Sequence, residues 1–157
     1  MKRVVGFAAW SGTGKTTLMT EIIRILKARG QKIAVVKHDV HGIDACEEGK
    51  DSGRFHKAGA DRVALIGPDP FSAPEDALKE ALEDMGDADI ILVEGFKHAQ
   101  IPRIGLCRMA ADRPLVESPK TYIAVVTDVP LRTSVPQFGW DEHLKLADFI
   151  REQTAGR

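Results

Sequence analysis

Residues 4–17, Val4-Val5-Gly6-Phe7-Ala8-Ala9-Trp10-Ser11-Gly12-Thr13-Gly14-Lys15-Thr16-Thr17, narrow the choice of fold sharply. The first half is an apolar run that reads as a strand. The second half is Gly-rich and ends in Gly-Lys-Thr. The residues after it put Leu18, Ile22, Ile25 and Leu26 on one face of a helix. Strand, Gly-rich turn and helix in this order form the context a phosphate-binding P-loop needs. Backbone N–H groups of the turn and of the helix N-terminus converge on one anion, and the helix dipole adds positive potential there. In that geometry Ser11, Gly12, Thr13, Gly14, Lys15, Thr16 and Thr17 surround phosphate, Lys15 reaches the β- and γ-phosphates, and the Thr16 hydroxyl ligates Mg²⁺. The pattern G-x-x-x-x-G-K-[ST] asks for Gly where this chain has Ala9, a small departure because Gly12 and Gly14 are both present. The expected ligand is a nucleoside triphosphate or a close relative.

The chain of 157 residues fits one domain, 1–157, with a substantial core. It is 43% hydrophobic and 29% charged, as a globular protein should be. A formal net charge of −1 offers no bulk electrostatic reason to expect nucleic acid or an acidic membrane as partner. The opening residues already read as a strand, so no signal peptide is expected, and no apolar run approaches the roughly 20 residues of a membrane span. Two cysteines far apart, Cys46 and Cys107, argue against a disulfide framework. A reduced, cytoplasmic location follows as the expectation.

Past the P-loop, the first helix should run to about Arg29 and close at Gly30. Ile33-Ala34-Val35-Val36-Lys37 reads as a buried parallel strand, and residues 38–50 as a long functional loop. Asp51 or Ser52 should cap a short helix containing Phe55 and Ala58. Further strands are expected at residues 62–66, 89–94 and 122–126, with helices at about 74–85 and 141–152. Arg103–Arg108 partly alternates charged and apolar residues and is expected to be an edge or antiparallel strand. Strands alternating with helices imply an α/β fold of the P-loop NTPase type, a mostly parallel sheet flanked by helices.

A P-loop NTPase needs a carboxylate on a second strand to hold Mg²⁺. Asp89-Ile90-Ile91-Leu92-Val93-Glu94-Gly95 supplies one in Glu94, and Gly95 lets the backbone pass close to the phosphates. Asp39 follows a strand end, where ligands bind in open α/β sheets. It either ligates Mg²⁺, orients water, or is a solvated loop acid. Lys37 meets a phosphate or closes a salt bridge. His38, His41 and Cys46 are metal-ligating by type, but their spacing matches no structural zinc pattern. The chain contains no asparagine and so no Asn-Lys-x-Asp guanine motif. Asp128, after the strand ending at Val126, is the candidate for reading guanine, whose N1–H and N2 amino hydrogens one carboxylate can accept; adenine would leave it unpaired. The alternative is a turn Asp before Val129-Pro130.

Together the segments FAAWSGTGKTT (7–17), VKHDVHG (36–42), GKDSGRFHKAGA (49–60), DIILVEGFKH (89–98) and TDVP (127–130) resemble the molybdopterin-guanine dinucleotide biosynthesis protein B (MobB-like) family. The resemblance spans nearly the whole chain in order, and the form AAWSGTGKT is the family's own. It implies a homodimeric GTP-binding adapter with weak intrinsic GTPase activity. Such a protein assists a MobA-like guanylyltransferase that joins GMP to molybdopterin, giving the guanine dinucleotide form of the molybdenum cofactor. It implies that Gly12, Gly14, Lys15, Thr16 and Thr17 bind phosphate and Mg²⁺, that Asp39 and Glu94 lie near the metal, and that Asp128 reads guanine. Gly49–Ala60 and Gly95–His98 would line the partner or molybdopterin side.

Slow turnover also has a rationale in the residues, since no glutamine or arginine is compelled into a water-orienting or finger role. Trp10 occupies the position of the signature lysine of some related ATPases, which excludes self-activation by that lysine. Two other classes remain open. A small-molecule kinase would use Arg103, Arg108 and Arg113 in a mobile lid, and a metallochaperone GTPase would carry metal on His38, His41 and Cys46. If the chain dimerises, the Arg103–Arg108 strand is a candidate edge for pairing across a two-fold axis.

Overall fold

The computed structural model describes residues 3–38 and 48–155, with side chains in the second helix from residue 53 onward. Seven strands form one sheet: β1 (Val4–Ala8), β2 (Ile33–His38), β3 (Arg62–Ile66), β4 (Ile90–Glu94), β5 (Arg103–Leu106), β6 (Ala124–Val126) and β7 (Gln137–Phe138). Their order across the sheet is β3-β2-β4-β1-β5-β6-β7, and every pairing is parallel. The helices are α1 (Lys15–Ala28), α2 (Glu48–Ala58), α3 (Pro74–Glu83) and α4 (His143–Thr154). This is the P-loop NTPase-type sheet flanked by helices that the alternation of strands and helices predicts.

A parallel sheet covered on both faces needs strands that are apolar on both sides, which is why β2 and β4 read as unbroken apolar runs. Successive residues serve opposite layers. Val35, Ile90 and Leu92 pack with Leu18, Ile22 and Leu26 of α1, Phe55 of α2, and Leu146 and Ile150 of α4. Ala34, Val36, Ile91 and Val93 pack with Leu78 of α3 and with Met85 on the opposite face. Each fully buried Leu or Ile contributes roughly 1.5–3 kcal/mol relative to exposure. Registry then positions the site. Glu94 pairs with Phe7 of β1 on one side and with Lys37 of β2 on the other, so the strands end level with one another beside the P-loop.

Three expectations are corrected. The strand in the Arg103–Arg108 segment, β5 (Arg103–Leu106), is neither an edge nor antiparallel: it is a buried interior strand between β1 and β6. Its charge is neutralised inside the fold, because Arg103 is ion-paired to Glu117 at 2.7 Å, donates to the Lys97 carbonyl and lies against the Tyr122 ring. Pairing across a two-fold axis through this strand is therefore ruled out. Asp51 and Ser52 do not cap α2, which begins at Glu48 and leaves both inside the helix. That start escaped the pattern because no apolar residue precedes Phe55 in α2 to set a helical period. Finally, the two-residue β7 was not anticipated, being too short to show alternation. Among the described residues, no helix is long and apolar enough to cross a membrane.

Candidate nucleotide site

The P-loop turns from β1 into α1 with Gly12 at φ 80° and Gly14 at φ 108°, a left-handed backbone that glycine adopts without cost. Gly14 is the N-cap of α1, makes no side-chain cap bond, and is followed by a first turn without acidic residues. The helix thus presents its N-terminal N–H groups and its dipole, uncountered by any carboxylate of its own first turn, to an incoming anion. Thr13 is buried and closes the turn by donating its hydroxyl to the Trp10 carbonyl at 2.6 Å.

Above this turn lies a cavity of about 830 Å³, enough for a nucleotide and more. Ser11, Gly12, Gly14, Lys15, Thr16 and Thr17 form one wall, and Lys37, His38 and Arg54 contribute from β2 and α2. Glu94, Gly95, Phe96, Lys97 and His98 contribute from the end of β4, while Ala73, Pro74 and Glu75 come from the start of α3. Glu94 is only 6% exposed. Its carboxylate lies 3.6 Å from the Lys15 ammonium and 3.8 Å from that of Lys37. Burial pushes the Lys15 pKa down, opposed by Glu94 and reinforced by the neighbouring charges of Lys97 and Lys37. Cationic groups crowded round one buried carboxylate leave the site ready to take up negative charge. The Thr16 hydroxyl and the Glu94 carboxylate, both on the cavity wall, are the hard oxygen donors that suit Mg²⁺.

Past Glu94 the chain makes a tight reversal. Gly95 has φ 87°, and a Cβ there would sit 2.8 Å from the Cβ of His38, so the close approach of β4 to β2 requires glycine. Phe96 follows at φ 50° and stacks on His38, ring centroids 4.3 Å apart. Lys97 lies 4.6 Å above the Trp10 ring, and His98 is 3.1 Å from Glu117.

The structure gathers Ser11, Gly12, Gly14, Lys15, Thr16, Thr17 and Glu94 round one cavity, with Thr13 buried beneath the loop. Asp39, His41 and Cys46 lie outside the described residues. Among those described, no group of three or more His, Cys, Asp or Glu is placed to hold a metal ion, and His38 is engaged in its stack on Phe96. Asp128 is not part of the cavity wall. It is exposed, and its two oxygens accept the backbone N–H groups of Met109 at 2.8 Å and Ala110 at 2.9 Å. These bonds, Ala110's first, hold its carboxyl below the usual range.

That anchored loop carries residues the sequence did not single out for this purpose. Arg108 donates to the Thr13 carbonyl at 3.1 Å, and Arg113 to the Ser11 carbonyl at 2.9 Å. Arg108 is stacked on Trp140, which donates to the Cys107 carbonyl at 2.9 Å. Both arginines therefore brace the P-loop backbone and Arg103 is buried in β5, an arrangement unlike the mobile arginine-rich lid a kinase would need. No local spacing ties these residues to the P-loop; the expectation of several arginines in this segment was the only signal.

Comparison with known proteins gives a consistent result. Residues 4–128 match the family described as Molybdopterin guanine dinucleotide synthesis protein B. The chain is 40% identical to the molybdopterin-guanine dinucleotide biosynthesis adapter protein of Escherichia coli (strain K12), covering 95% of this chain and 91% of that one. It is 34% identical to the protein of the same description from Haemophilus influenzae, covering 94% and 86%. Among solved structures, it superposes on Bacillus subtilis MobB with a TM-score of 0.63 at 20% identity, covering 99% of each chain, a likeness of fold.

Proposed function

The chain belongs to the molybdopterin guanine dinucleotide synthesis protein B family, and on that premise we propose that it is a GTP-binding adapter in formation of molybdopterin guanine dinucleotide. In this reading it binds GTP with Mg²⁺ and assists a MobA-like guanylyltransferase that transfers GMP to molybdopterin. It acts as a cytoplasmic homodimer. The observation that carries the nucleotide part is the convergence of an uncapped α1 N-terminus, Lys15 and the buried Glu94 on one cavity.

Each residue has a definite task there. The turn N–H groups and Lys15 hold the phosphates, and the Lys15 ammonium exchanges its contact with Glu94 for phosphate oxygen. The Thr16 hydroxyl and Glu94 would hold Mg²⁺, with Asp39 as a further carboxylate. When bound, the metal would supply neutralisation of phosphate charge. Outside the cavity wall, Asp128 reads the guanine edge with the second acceptor site of each oxygen, since the loop bonds occupy one on each.

Intrinsic hydrolysis is weak in this reading. Arg108 and Arg113 are committed to carbonyl oxygens of the P-loop and supply no finger to the γ-phosphate. A finger contributes about 10³–10⁵ in rate where one exists.

The test is a competition of GTP against ATP for binding in Mg²⁺, with Lys15→Ala alongside. We expect GTP to be preferred and the variant to lose binding of both. Undiminished affinity in Lys15→Ala would sink the P-loop assignment. Equal binding of ATP and GTP by the parent protein would move the reading away from an adapter of the guanylyl pathway and towards a kinase.

A further inference from the structure

Arg54 stands apart from the other cations of the cavity. Lys15 and Lys37 both reach Glu94, and Lys97 lies over Trp10, but Arg54 donates to the Thr17 hydroxyl at 3.0 Å. Thr17 sits in the first turn of α1, beyond the lysine that reaches the β- and γ-phosphates, where the loop and helix N–H groups cradle the phosphates nearer the sugar. The next residue, Phe55, is fully buried in the core shared by α1 and α2, so the backbone bearing Arg54 is held in place while its side chain stays exposed along the cavity wall. A guanidinium has five N–H donors in a rigid fork and pairs with phosphate oxygens in bidentate fashion. One donor on Thr17 leaves others to meet an anion placed against the same hydroxyl.

We infer that Arg54 is a phosphate ligand for the part of the nucleotide common to the diphosphate and the triphosphate, docking α2 onto whichever is bound. The inference rests on the nucleotide reading of the cavity. It assigns α2 a contact that outlives loss of the γ-phosphate, so α2 would report occupancy of the site and not the hydrolytic state of the nucleotide.

Calorimetric titration of the parent protein and Arg54→Ala with GDP and with GTP, in Mg²⁺, tests it. The variant should bind both nucleotides about tenfold more weakly or worse, by the same factor. Arg54→Lys should fall between, keeping the charge and losing the fork. Arg151→Ala, an exposed arginine on α4, should change neither affinity. Unchanged affinity of Arg54→Ala for both nucleotides overturns the inference and leaves the nucleotide site standing. A loss confined to GTP overturns it too, by placing Arg54 at the γ-phosphate. Failure of the parent protein to bind either nucleotide removes the site, and this inference with it.

Discussion

Each oxygen of Asp128 already carries one backbone hydrogen bond, and those bonds tie the 108–113 loop to the end of β6. Through Arg108 and Arg113 the same loop grips the carbonyls of Thr13 and Ser11. In the proposed reading Asp128 joins two tasks, bracing this loop and accepting from guanine. Asp128→Ala separates them, because loosening the P-loop weakens every nucleotide alike, whereas removing the guanine acceptor weakens GTP alone. We expect the variant to lose its preference for GTP over ATP on top of a shared weakening of a few-fold. Competition binding measures both, and equal losses for the two nucleotides would leave Asp128 as a brace only. Lys15 holds its ammonium beside the Glu94 carboxylate, the partner it would exchange for phosphate in the proposed reading.

Among the elements, the join of α1, β2 and β3 depends on one acid. Asp61, just before β3, accepts the Ile33 N–H at 2.8 Å and pairs with Lys27 of α1 at 2.9 Å, while its own N–H donates to the Ile33 carbonyl. Ile33 is fully buried at the start of β2, so Asp61→Ala leaves its N–H short of an acceptor and should cost about 1–2 kcal/mol in urea unfolding. The bond from Ile33, then Lys27, holds the Asp61 carboxyl below its ordinary pKa. A depressed folded-state pKa means the unfolded chain takes up its proton first. The contribution is complete above the unfolded value of about 3.9 and is lost as pH falls through the lower folded value. Stability of the parent protein should therefore fall more steeply than that of Asp61→Ala below about pH 4. Parallel curves for the two would remove the linkage.

For the whole molecule, the position of β5 decides how two copies can meet. The sheet ends at β3 and β7, and β5 lies between β1 and β6, so a dimer must form without the Arg103–Leu106 backbone. Light scattering should return twice the mass of one chain, the homodimer expected of this family. A mass of one chain at working concentration would make the adapter role one played by a monomer. Trp10, on the cavity wall, is 42% exposed, and Phe71, on the loop before α3, is 96% exposed.

The parts of this protein written in short-range pattern could be read without coordinates. The P-loop with its flanking strand and helix, the unbroken apolar runs of β2 and β4, and the placement of Glu94 at a strand end all follow from which residues sit next to which. Backbone preference and burial period act over a few residues, and that reach suffices for them. The role of β5 does not yield to the same reading. Arg103 argues for an exposed edge until Glu117, distant in the chain, arrives to neutralise it inside the fold. The bonds from Arg108 to Thr13, Arg113 to Ser11 and Arg54 to Thr17 span 95, 102 and 37 residues. Such pairings depend on strand order and on the course of the loops between strands. Local sequence pointed to the end of β1 as the place for phosphate; only the packing of distant segments decided which arginines steady the loop and which one lines the cavity beside Thr17.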